Sequence, residues 1–370
     1  FQRDNFRLLA DVFRLNPVEQ RLLEFFVVAE VEPHLRDACE EALGGKRNQH
    51  LRFLSGVLRV SGREIARALG KGRNLVRSGL LVNQASKRRR TGPWTHRFNG
   101  RNSGMPEMQF SDLAHLMYQE GVELEHVVSM FGVTASKRGE LTLPDFPHLR
   151  EKLGLLVPYL SEVRDNERVG VNVLLYGVPG TGKTQLVRAL ADKLDLRLLE
   201  VGTEDNDAEP LEAEQRIAGL AMAQDCFRER RVAFVFEEAE DVFGAGAFER
   251  GFARERKGWF NKQLESNPKP IFWISNSAGC LDPAFVRRFD IVIEVPLPPR
   301  SVRENVISGH VSGLISRPLI KRMAEVEHLS LAVVDRVGKV VRAGGSCLSQ
   351  VERDSTFESA VHDVLKAQGH

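Results

Sequence analysis

The most regular feature of the chain is a set of short apolar runs at residues 171–176, 196–201, 232–237, 270–275 and 290–294, separated by stretches of helical periodicity. Each run is too short for a core helix and lacks the in–out alternation of a strand with one wet face. Such runs suit strands buried on both faces, so the expected class is α/β, with a parallel sheet covered by helices. Ligands of such sheets gather at the carboxyl ends of the strands. Beyond residue 300 the spacing is helical only, with helices expected at 302–312, 331–342 and 357–367.

The first 105 residues follow another pattern. Asn16-Pro17-Val18-Glu19 combines an N-cap, a proline at the first helical position and a capping-box glutamate; Leu22, Leu23, Phe26 and Val27 supply the buried face. A helix over 33–43 stops at Gly44-Gly45, and another follows at 51–58. Ser61-Gly62-Arg63-Glu64 is a second capping box, opening a helix at Ile65, and a strand is expected to leave from Leu80. Helix, turn, helix and a strand running into a basic loop resemble a winged-helix domain. Between 106 and 170 the pattern predicts a helix over 109–131, an extended stretch at 141–146 and a helix over 148–160. The expected division is therefore 1–105, a linker at 106–170, an α/β core at 171–298 and helices at 299–370.

Charge adds one local signal. From Ile65 to Pro106 there are ten basic residues and no acidic one, Lys87-Arg88-Arg89-Arg90 among them, with Trp94 and Phe98 interleaved. That composition suits a wing on nucleic acid, with DNA as a candidate partner, and it also suits a solvated loop or a protein-docking wing. The whole chain, at net charge +2 with 28% charged and 42% hydrophobic residues, carries no general attraction for a polyanion. Four scattered cysteines (Cys39, Cys226, Cys280 and Cys347) have neither metal spacing nor disulfide density, which points to a reducing cytoplasm. No apolar run approaches the ~18–20 residues of a bilayer span, so no membrane partner is expected, and no secretory leader is read. With Phe1 in first place instead of Met, further residues upstream are expected.

The chemistry lies at the ends of the apolar runs. Gly177-Val178-Pro179-Gly180-Thr181-Gly182-Lys183-Thr184 fits the phosphate-loop pattern, between a strand and a helix that continues through Gln185. Its glycines let backbone N–H groups turn inward as an anion nest. Lys183 would bring charge to the β- and γ-phosphates of ATP, and Thr184 a hydroxyl to Mg²⁺. The run 232–236 ends on Glu237-Glu238. Glu237 is expected to support the metal and Glu238 to activate water. The run 270–275 ends on Asn276, placed to hydrogen-bond that water and to report the γ-phosphate. Arg287 and Arg288, just before the last strand, are suited to act as arginine fingers on a neighbour's nucleotide.

In that order these motifs resemble the ATPase module of the AAA family over residues 171–298, about a third of the chain, and the terminal helices resemble that family's lid. The resemblance implies a P-loop ATPase with ATP and Mg²⁺, a ring of subunits (usually six) and remodelling of a protein substrate. It also implies that Phe146 and His148, just before the phosphate-loop strand, are candidates to wall the adenine, with ordinary packing as the alternative; Arg336 is a candidate sensor-2 arginine. Two departures qualify it. Glu237 stands where the family has Asp, one methylene longer, which keeps open an assembly scaffold with weak turnover. The loop 202–210 carries four acids and no aromatic in place of a peptide-gripping aromatic. The third reading is a nucleotide-gated DNA-binding module.

Overall fold

The computed structural model describes residues 3–32, 47–70, 74–77, 81–83, 106–108, 120–204, 210–228, 231–244, 263–326, 329–344 and 348–367, with a few single residues between them. In chain order the first elements are α1 (Arg3–Val12), α2 (Pro17–Val31), α3 (Arg47–Leu58), α4 (Gly62–Ala68), α5 (Asn74–Arg77), β1 (Leu81–Asn83), β2 (Pro106–Met108), α6 (Leu124–Ser129) and β3 (Val133–Ala135). Then come α7 (Arg150–Asp165), β4 (Asn172–Tyr176), α8 (Lys183–Lys193), β5 (Arg197–Val201), α9 (Ala213–Cys226), β6 (Val232–Phe236), α10 (Glu240–Phe243) and β7 (Ile271–Ser275). The series ends with α11 (Pro283–Val286), β8 (Ile291–Glu294), α12 (Arg300–Val311), α13 (Arg317–Glu325), α14 (Leu331–Gly344) and α15 (Gln350–Ala367). The chain forms two compact units, 1–135 with 200–230 and 136–199 with 231–370.

In the first unit both capping boxes are present. Asn16 Oδ1 accepts from the N–H groups of Val18 and Glu19, each at 3.0 Å, and Glu19 Oε2 accepts from Asn16 N at 3.0 Å. Glu19 is buried and its other oxygen accepts from Asn74 N at 3.0 Å, so one carboxylate ties the starts of α2 and α5 together. Leu22, Leu23, Val27, Leu54, Ile65 and Leu75 pack as the core beneath. β1 and β2 pair antiparallel, Leu81 with Met108 and Asn83 with Pro106. The basic residues Lys87 to Arg90 lie outside the described residues, as do most of the expected helix at 33–43 and the residues 109–119.

Where 109–131 enters the described residues it is not one helix. Gly121 adopts φ +66°, only Leu124–Ser129 is helical, and Gly132 at φ +71° leads into β3. A glycine in the left-handed region at each end breaks the helical run.

In the second unit four strands stand in the order β6-β7-β4-β8, all parallel. Tyr176 at the end of β4 sits between Ser275 of β7 and Glu294 of β8. Val173, Leu174, Leu175, Phe234, Val235 and Phe272 are fully buried, as double-sided coverage requires. The N-terminal end of the sheet is pinned by amides: Asn172 Nδ2 donates to Leu264 O at 2.6 Å, and Trp273 Nε1 donates to Asn172 Oδ1 at 3.0 Å. The stretch 141–146 is not extended. Thr142 and Asp145 cap one 3₁₀ turn (Leu143–Asp145) and Pro147 opens another, because prolines at the first turn positions fix a helical φ. α7 therefore starts later than the periodicity suggests and runs on to Asp165. The terminal helices α12–α15 enclose a separate core of Ile307, Val311, Leu319, Val334, Phe357 and Val361. α13 was not among the expected helices; Arg317-Pro318 starts it.

Candidate nucleotide-binding site

Strand β4 delivers the loop 177–182, and α8 takes over at Lys183. Gly177, Gly180 and Gly182 have φ of 151°, 82° and 86°, a region side-chain-bearing residues avoid. A Cβ at Gly177 would lie 2.3 Å from Val295 O, and one at Gly180 would lie 2.3 Å from Ser330 Cβ, so close approach also demands glycine. Val178 and Pro179 form the exposed crest of the loop, and the buried Thr181 hydroxyl closes it by donating to Val178 O at 3.1 Å.

Lys183 is buried, and its ammonium donates to Gly177 O at 2.6 Å and Val178 O at 3.0 Å, with Asn276 Oδ1 at 3.5 Å. Burial lowers its pKa, against the pull of Glu240 and Glu237. Thr184 Oγ1 donates to Glu237 Oε1 at 2.5 Å. The extra methylene of Glu237 therefore still lets the carboxylate meet the hydroxyl that would share its metal. Gln185 accepts from Glu140 N at 3.1 Å, so its side chain serves the segment before α7.

Glu238 is exposed, and its backbone sits at φ +55°. A non-glycine residue there carries strain of about 1–3 kcal/mol, which surrounding structure tends to impose at functional positions. Asn276 follows β7 and donates from N (3.3 Å) and Nδ2 (3.0 Å) to Glu240 Oε1. Lys183, Thr184, Glu237 and Asn276 are thus brought together, and Glu240 is an addition the motifs did not flag; its only sequence signal is a third acid two residues after Glu238.

Arg287 and Arg288 separate. Arg287 is exposed, with Nε donating to Pro283 O at 3.3 Å, whereas Arg288 pairs with Glu265 at 3.1 Å and donates to Ala284 O. Phe146 is buried, with its ring 3.4 Å from where a Gly182 Cβ would stand. Its ring centroid is 6.2 Å from that of His148, whose two ring nitrogens are buried without a hydrogen-bond partner. Burial, reinforced by Lys152, lowers the His148 pKa and favours neutral imidazole. Arg336 lies exposed on α14.

The donor set fits a nucleoside triphosphate with Mg²⁺: a glycine nest at a helix N-terminus, one buried ammonium, and a hydroxyl–carboxylate pair. A P-loop nucleotide site on a parallel α/β sheet is thereby defined. Residues 173–297 match the model of the ATPase family associated with various cellular activities (AAA), and this stretch is an AAA ATPase domain. The chain is 30% identical over 162 residues to the Arabidopsis thaliana 26S proteasome regulatory subunit S10B homolog B, covering 40% of each. It is 28% identical over 268 residues to the Dictyostelium discoideum 26S proteasome regulatory subunit 10B, covering 64% of each. It is 29% identical over 197 residues to the ATP-dependent zinc metalloprotease FtsH 3 of Sphaerobacter thermophilus, covering 48% of this chain and 39% of that one. The chain thus spans less than two thirds of the length of these relatives. Among the described residues, no helix is long and apolar enough to cross a membrane.

Proposed function

We propose that the chain hydrolyses ATP and couples hydrolysis to remodelling of a protein partner, as one subunit of a ring, in the cytoplasm. The observation that carries this reading is the Lys183, Thr184–Glu237 and Asn276 arrangement at the carboxyl ends of three adjacent parallel strands. In it, Lys183 exchanges its two loop carbonyls for phosphate oxygens, gaining charge-assisted hydrogen bonds. Thr184 and Glu237 would hold Mg²⁺, which when bound neutralises charge on the phosphate oxygens. Glu238 takes the proton of the attacking water, and Asn276 orients that water. Of the two arginines, the exposed Arg287 serves the site of a neighbouring subunit, with Arg288 beside it as a second candidate. Phe146 packs beside the phosphate loop and, with His148, walls the base. The names of the proteasomal relatives favour a protein partner over DNA.

A second reading, a nucleotide-gated DNA-binding module, is favoured by one observation: β1 and β2 pair antiparallel on either side of the basic stretch 84–105, as strands flanking a wing would. An assembly scaffold with weak turnover stays open through Glu237. Phosphate release by the purified chain, with and without duplex DNA, separates the three. Turnover indifferent to DNA supports the first, DNA binding that follows the nucleotide the second, and ATP-dependent assembly without phosphate the third.

A further inference from the structure

The carboxylate of Glu240 has no role in the reading above, yet it is the group that holds Asn276. Helix α10 is fixed tightly enough to define its reach. Ala239 N donates to Ile274 O at 2.8 Å, binding the start of α10 to β7 one residue before the strand ends. At the other end Phe243 is fully buried between Trp273 and Phe285, with ring centroids at 4.9 and 4.8 Å. Between these anchors Glu240 Oε1 takes both the backbone N–H and the side-chain amide of Asn276. An amide held by both donors has its carbonyl directed elsewhere, and Asn276 Oδ1 lies 3.5 Å from the Lys183 ammonium.

The second oxygen, Oε2, is buried too, so the carboxylate is enclosed and its bonded oxygen, Oε1, is committed to Asn276.

We propose, resting on the ATPase reading, that Glu240 is a positioning residue: through Oε1 it sets Asn276 against the terminal phosphate and the water that attacks it. Glu238 remains the proton acceptor.

Two substitutions in the full chain test this role. Glu240→Gln keeps one oxygen for Asn276. It should keep both kcat and the affinity ratio between a non-hydrolysable ATP analogue and ADP within about threefold of the parent. Glu240→Ala loses both contacts, so the analogue-to-ADP ratio should fall about fivefold, matching Asn276→Ala. The double variant Glu240→Ala/Asn276→Ala should be no worse in that ratio than Asn276→Ala alone. Additive losses in the ratio, or a Glu240→Ala variant equal to the parent, would overturn the positioning role. A Glu240→Gln variant as impaired as Glu240→Ala would overturn it too, because glutamine still offers Asn276 an oxygen. The Asn276 side-chain amide NMR signal tests the clamp without nucleotide: it should shift in Glu240→Ala and stay near its place in Glu240→Gln. A parent that binds nucleotide without turnover, yet shows this pattern of signals and ratios, would refute the ATPase reading and leave the clamp standing. An amide signal indifferent to Glu240→Ala would refute the clamp.

Discussion

Two polar regions of the second unit are organised in opposite ways. Around the phosphate loop the functional side chains are held by other groups of the same chain: Lys183 by two carbonyls, Thr184 by Glu237, Asn276 by Glu240. At α11, two adjacent arginines of identical chemistry part company, Arg287 exposed and Arg288 drawn onto Glu265. A group already held in place loses little freedom when it meets its ligand, which is how a receptor is pre-organised. A guanidinium left at the surface is what one subunit would offer another. On the proposed reading, binding belongs to one chain and charge stabilisation to a pair of chains, and each half can be broken separately.

The largest expected effect lies at the exposed arginine. Arg287→Ala should lower turnover by about 10³–10⁵, the usual worth of an arginine finger, with ATP affinity of the isolated subunit nearly unchanged. Mixing it with Glu238→Gln subunits should restore activity, since some interfaces then pair an intact Glu238 with an intact neighbouring arginine. A mixture as inactive as its parents would end the shared-site reading. Glu238→Gln alone should cost about 10²–10⁴ in kcat, as general-base removal does, and keep nucleotide binding, read by a fluorescent ATP analogue. Lys183→Ala breaks the other half: affinity should drop by about ten- to a hundredfold, the cost of a lost hydrogen bond from a charged donor. If it bound like the parent, the loop would not be the phosphate receptor.

The local arrangement around the phosphate loop could be read from the sequence, and the separate placement of Arg287 and Arg288 could not, for a physical reason. Glycine spacing, Lys183, Thr184 and the acids after β6 are local in the chain, and β4 to β8 each declare themselves as an apolar run within a residue of their observed bounds. What separates Arg287 from Arg288 is Glu265, more than twenty residues upstream and brought close only by the fold. Glu240 was missed because its partner Asn276 comes from another strand. The 109–131 pattern misled for the converse reason: apolar spacing suited a helix, but Gly121 and Gly132 take left-handed φ, and the helix in the described part is confined to Leu124–Ser129.

Smaller effects sharpen the receptor half. Because Lys183 loses its proton more readily in the folded chain than at the ordinary lysine value of 10.5, the unfolded chain binds more protons between those two points. Stability of the nucleotide-free protein should therefore rise with pH through that alkaline window, and Lys183→Ala should flatten the rise in denaturant titrations. A triphosphate favours the charged ammonium, so ATP affinity should fall as pH climbs through the same window. A parallel pH response in Lys183→Ala would assign it to another group.

The smallest effect, and the one that bears most directly on the two arginines, is expected at Glu265. The Arg288–Glu265 pair is partly solvated, with side chains 29% and 63% exposed. Pairs of this kind contribute about 0–1 kcal/mol, so Glu265→Ala should hardly move the denaturation midpoint. Arg288 would still be held by the carbonyl of Ala284, within its own short helix. If that local anchoring already keeps Arg288 in place, turnover in Glu265→Ala stays within about twofold of the parent. Arg288→Ala should then cost far less than Arg287→Ala, because only the exposed guanidinium reaches across. If instead the ion pair withholds Arg288 from the neighbouring site, Glu265→Ala releases a second finger and turnover rises. Measuring phosphate release for Glu265→Ala, Arg288→Ala and the pair of changes together decides the matter: a gain in the first that vanishes in the double variant means that Arg288 is a restrained finger. Equal and severe losses in Arg287→Ala and Arg288→Ala would mean that both arginines reach across, and the contrast between them would fall.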